Sequence, residues 1–73
     1  MYAKTFKSLM AQVEGMDCYV VDCSGNRYHV ANIDYITPKE EFVGLTLTND
    51  EFVELEIDTI EKVLGNGKDA VNL

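Results

Sequence analysis

Apolar residues recur along this chain with two different periods. Tyr2, Phe6, Leu9, Met10 and Val13 fall at i, i+4, i+7, i+8 and i+11, a single stripe at helical spacing. Lys4, Lys7, Ser8 and Gln12 occupy the other faces, and Gly15 supplies a C-terminal stop. The pattern predicts a helix over residues 2–14 that packs its stripe on the rest of the chain; the other use for such a stripe is to bind a partner. After Gly15 the period falls to two. "DCYVVDC" and "RYHVANIDYI" are rich in β-branched and aromatic residues, and Ser24, Gly25 and Asn26 separate them, which predicts a hairpin. The second run slips phase at Ala31 and Asn32, because Val30 and Ile33 cannot share one face of a straight strand; a bulge or bend there reconciles them. Pro38 ends the run.

"EFVGLTLT" then alternates, with Val43, Leu45 and Leu47 on one face and Gly44 at a position suited to a bend or a close approach. In "EFVELEI", Val53, Leu55 and Ile57 face one way and Glu54 and Glu56 the other. "DTI" interrupts as a single helical turn, and "IEKVL" is a last short strand. The predicted fold class is mainly β (α+β): an N-terminal helix followed by a five-stranded, strongly bent small barrel of SH3-like or Sm-like type. Closure is expected because a flat sheet of this size leaves an apolar face and two raw edges. Residues 1–64 form the single helix-plus-barrel domain, and 65–73 a flexible C-terminal tail. The expected core is Val43, Leu45, Leu47, Val53, Leu55 and Ile57, with Phe6 and Leu9 covering one end.

Size and composition narrow the function. A 73-residue chain buries only about 60% of the surface its unfolded form exposes, so a deep substrate cavity is not expected. The opening "MYAKTFKSLM" lacks the apolar core of a signal peptide, and no run approaches the roughly 20 apolar residues of a membrane span. A cytoplasmic location without membrane contact is therefore expected. The net charge of −7 is uneven. Residues 38–63 hold eight acids against Lys39 and Lys62, a net of −6, whereas residues 1–14 carry +1. Such a surface repels nucleic acid and steers basic proteins toward it; it also serves simply to keep a small domain in solution.

No catalytic constellation emerges. His29 is the sole histidine and has no sequence-identifiable acid or nucleophile partner. "GNGK" fails as a phosphate loop, since position 62 is lysine and Asp69 stands where Ser or Thr belongs. Cys18 and Cys23 are five apart, an odd separation that points them to opposite faces of one strand, so free thiols are expected and a zinc site is not. Asp50, Glu51, Glu54, Glu56 and Asp58 lack the loop spacing that wraps calcium. No metal and no cofactor is expected. Tyr2, Tyr19, Tyr28 and Tyr35 are capable of stacking bases, but six basic residues against thirteen acids give the wrong field for nucleic acid. They are expected instead as helix and barrel contacts. The candidate partner-binding residues are Glu54 and Glu56, with Glu40, Glu41, Asp50, Glu51 and Asp58 nearby.

The helix, then "VVDCSGNRYHVANIDYI", then "EFVGLTLTNDEFVELEIDTIEKV" resembles the Rho-specific antiterminator family (Rof-like proteins), over about Asp22 to Val63. The resemblance implies a small acidic Sm-like barrel that binds the transcription terminator Rho and blocks its RNA-loading surface. The family also carries an acidic, Tyr-containing stretch ahead of its helix. Here the sequence opens at the helix, with Lys4 and Lys7, so the resemblance extends to the acidic barrel surface alone. Three readings compete: binding to a basic protein such as Rho; inhibition of a nucleic-acid-binding defence complex by a phage-encoded nucleic-acid mimic; and, from a different class, an Sm-like homo-oligomeric barrel that binds a small ligand or RNA.

Overall fold

A computed structural model describes residues 1–71. Helix α1 spans Ala3–Gln12, and its stripe is buried at Phe6, Leu9, Met10 and, just past its end, Val13. Tyr2 leaves the stripe: it sits at the N-cap position and is 81% exposed, because the chain is already extended there. The α-amino group of Met1 instead anchors this end, donating to the carbonyls of Ile57, Asp58 and Ile60.

Six strands follow, one more than the alternation predicts: β1 Cys18–Asp22, β2 Arg27–Ile36, β3 Phe42–Leu47, β4 Phe52–Glu56, β5 Ile60–Gly65 and β6 Lys68–Asp69. They form one antiparallel sheet in the order β4-β3-β2-β1-β5-β6. The expected helical turn is a 3-10 turn at Ile57–Thr59. The sheet is open, not closed: no ladder joins β4 to β6. Its apolar face is covered by α1, with Phe6, Val20, Val43, Leu45, Ile57, Ile60 and Val63 almost wholly enclosed.

β6 is made from residues that the alternation assigns to a loose tail. Asn66 and Gly67 turn in the left-handed region, and Lys68 and Asp69 then pair with Gly65 and Leu64. Gly65 belongs to the folded body. A Cβ there would stand 2.6 Å from Val13 Cγ1 and 2.9 Å from Met16 Sδ, so the end of α1 rests directly on this strand. Residues 72 and 73, the end of the expected tail, lie outside the described residues.

β2 carries two irregularities, one between Val30 and Asn32 and one between Ile33 and Tyr35. The first is the expected bulge; the second was not expected. Together they place Val30, Ile33 and Ile36, three residues apart, opposite Leu47, Leu45 and Val43, two residues apart on β3. Each bulge absorbs one extra residue. Ile33 nevertheless remains 36% exposed, lining a groove between α1 and β2. Leu47, Val53 and Leu55 are only partly buried at the rim of the core. The β1–β2 connection is held by Asp22, whose carboxylate accepts from the amides of Ser24 and Asn26, the Asn26 side chain and the Tyr28 hydroxyl.

Candidate functional site

The acidic residues lie along the β3–β4 hairpin and at its two ends. Glu54 and Glu56 project from the outer face of β4, where the register sets them opposite Gly44 and Phe42. Asp50 and Glu51 form the hairpin turn: Asp50 takes a positive φ of 68°, Asn49 Oδ1 accepts from the Glu51 amide at 3.1 Å, and Leu47 N–H donates to Glu51 at 2.8 Å. At the opposite end, Ile57 N–H donates to the Glu41 carbonyl at 2.9 Å, which brings the 40–41 loop beside Glu56 and the 3-10 turn that carries Asp58. All seven predicted residues are exposed. They form a line rather than a cage. Among the described residues, no three His, Cys, Asp or Glu side chains converge as a metal site.

Glu40 differs from the other six. Its carboxylate meets Lys7 Nζ of α1 at 2.6 Å, so its charge is offset by the helix. Thr37 shapes this loop, its hydroxyl accepting from the Glu41 and Phe42 amides.

Three residues near Glu54 escaped the sequence pattern. Tyr35, expected as a barrel contact, is 39% exposed and lies on the outer face, in register with Gly44. A Cβ at Gly44 would overlap its ring, so the missing side chain is what lets Tyr35 lie across β3. Its hydroxyl donates to Glu54 Oε2. That hydrogen bond, followed by partial desolvation and the charges of Glu54 and Asp34, pushes the phenol above its usual range. Phe52 is 54% exposed, its ring centroid 6.1 Å from that of Tyr35. Asp34 accepts from Thr46 Oγ1 at 2.7 Å and from Asn32 at 2.9 Å. Acid and aromatic side chains thus alternate across the outer face of β2, β3 and β4. Gly44 was the one signal of this arrangement in the sequence.

The remaining tyrosines also stand outside the core. Tyr19 stacks on His29 with centroids 4.3 Å apart, and the Arg27 guanidinium lies 4.9 Å from the Tyr19 ring centre. His29 has a partner after all: Asp17, which the start of β1 brings beside it. The thiols are free, Cys18 buried and Cys23 exposed in the β1–β2 turn. Burial, reinforced by Asp17, pushes the Cys18 thiol up.

The fold and the surface define a small, mainly antiparallel β protein with one covering helix and an acidic, aromatic-bearing outer face. No family model matches the chain, and no curated protein or solved structure matches it. No helix among the described residues is long and apolar enough to cross a membrane.

Proposed function

We propose that the chain is a non-enzymatic acidic interaction module that covers a basic nucleic-acid-binding protein. The resemblance over Asp22 to Val63 favours the transcription terminator Rho as that partner, with the cytoplasm as the place of action. One observation carries the proposal: Glu41, Asp50, Glu51, Glu54, Glu56 and Asp58 are all exposed along one hairpin and at its two ends, and none of them is in a salt bridge among the described residues. Carboxylates held this way draw a cationic surface in by long-range attraction, which chiefly raises the association rate. The strand order and the 3-10 turn before β5 support treating the sheet as an SH3-like or Sm-like small barrel left open at one seam. The deficit of six basic residues against thirteen acids supports a protein partner over nucleic acid.

The test is the association rate with immobilised Rho as a function of ionic strength, for wild type and for the double variant Glu54→Lys, Glu56→Lys. Single changes are expected to weaken binding by about 0.2–1 kcal/mol each, as solvated charges do. The double reversal is expected to slow association about tenfold or more at low salt and far less at high salt. Excess single-stranded RNA is expected to compete. No binding to Rho excludes that partner; a salt-independent rate unchanged by the reversal removes the acid face from the mechanism.

A further inference from the structure

Among the described residues β4 is an edge strand, with β3 as its one strand neighbour. Leu47 N–H donates to Glu51 and Ile57 N–H to Glu41, which fixes the phase of the β3–β4 ladder. Residues 51, 53, 55 and 57 therefore turn their main chain toward β3, and residues 52, 54 and 56 turn theirs outward. Thr59 Oγ1 takes the Glu56 carbonyl at 2.7 Å. The N–H and C=O groups of Phe52 and Glu54 face outward, and among the described residues no strand lies beyond them. A bare edge of this kind is a template for another extended chain.

The side chains select which chain. A second copy laid antiparallel along β4 sets glutamates beside glutamates, and like charges across a strand pair are destabilising. β6 has only two residues, Lys68 and Asp69, to offer as an edge. An added strand places alternate side chains on two different surfaces. One set falls beside Phe52, Glu54 and Glu56 on the outer face. The other falls beside Val53 and Leu55, which are incompletely covered at the rim of the core. The complementary sequence alternates Lys or Arg with aliphatic residues. Phe52 and Tyr35 supply ring faces that also favour a cation.

We propose that the outer edge of β4 receives an extended cationic segment of a partner protein as an added strand, with basic side chains against Glu54 and Glu56 and aliphatic ones against Val53 and Leu55. This rests on the acidic-module function above and specifies its mode of contact. The probe is an eight-residue, end-capped peptide alternating lysine and valine, titrated into the isotopically labelled full chain. Two analogues carry backbone N-methyl groups, one at the lysines and one at the valines. In a third, glutamate replaces lysine.

The expected result is saturable binding of the parent peptide, with amide hydrogen exchange at Phe52 and Glu54 slowed about tenfold or more. Only one set of peptide amides faces β4 in a given strand orientation, so one N-methyl analogue is expected to lose about tenfold in affinity or more while the other retains it. The glutamate peptide is expected not to bind. If both N-methyl analogues bind like the parent, strand addition is overturned and charge attraction alone survives. If the glutamate peptide binds equally, the cationic specificity is overturned. Absence of saturable binding by the parent peptide overturns the proposal whatever the outcome with Rho. Concentration-dependent protection of Phe52 and Glu54 without peptide identifies a second copy as the occupant, and also overturns it.

Discussion

Among the described residues Asp22 is the one buried charged side chain, and its place follows from the turn it closes. Its hydrogen bond from the Asn26 side chain, with the amides of Asn26 and Ser24 and the Tyr28 hydroxyl, outweighs its desolvation and holds its carboxyl below the ordinary 3.8. A carboxyl depressed in the folded state contributes stability that is present above its unfolded value and is lost as pH falls from there through the folded value. Urea midpoints measured from pH 5 down to pH 2 are expected to fall, and Asp22→Asn is expected to flatten that fall. An unchanged slope would separate the turn from the acid response. Tyr35 gives the alkaline counterpart. Its phenol is raised chiefly by Glu54, and the overlap of a Gly44 Cβ with its ring shows what Gly44→Ala would do. Both Glu54→Gln and Gly44→Ala are expected to bring the Tyr35 titration back toward 10, read from ring carbon shifts. A titration that stays raised in Gly44→Ala would mean that the ring keeps its place. The two thiols are expected to separate by access. Cys23 reacts with a thiol reagent in the native protein, and Cys18, buried and with a raised pKa, reacts only after unfolding.

The β3–β4 hairpin shows how one alternation produces unequal energetics. Val43, Leu45, Leu47, Val53, Leu55 and Ile57 all follow the apolar phase. Val43, Leu45 and Ile57 are enclosed, whereas Leu47, Val53 and Leu55 only border the core. Val43 and Leu45 lie within β3, which has a strand on each side, Val53 and Leu55 lie on β4 at the edge, Leu47 ends β3, and Ile57 lies past β4 in the 3-10 turn. Leu45→Ala is therefore expected to cost about 2–5 kcal/mol, as for an enclosed leucine that leaves a cavity. Leu55→Ala is expected to cost clearly less, since part of its surface already meets solvent, and Glu54→Gln little. Denaturant midpoints order the three; equal losses at Leu45 and Leu55 would show that the edge is covered in solution. β2 teaches a related lesson. Its apolar residues Val30, Ile33 and Ile36 recur every three positions, which on a straight strand alternates faces. Two bulges restore one face, and only pairing with β3 reveals the second of them.

At the scale of the molecule, charge is sorted by the topology. α1 carries Lys4 and Lys7, and Lys7 crosses to Glu40. Both groups are about half exposed, so the pair contributes at most about 1 kcal/mol; its consequence is that it removes Glu40 from the free negative surface. The β3–β4 side keeps the other acids free of ion pairs among the described residues and close to the bare edge of β4. The sequence by itself determined the helix stripe, the first hairpin, the alternation of β3 and β4, the turn before β5 and the side of β4 from which Glu54 and Glu56 emerge. Each of these depends on local periodicity, because neighbours two or four residues apart settle which face a side chain takes. The tertiary structure alone decided that the sheet stays open with six strands, that Gly65 supports the helix, and that Lys68 and Asp69 pair rather than trail. It also decided that Tyr35 reaches Glu54 across 19 residues of chain. These depend on which distant segments meet, and the spacing of apolar residues carries no record of that.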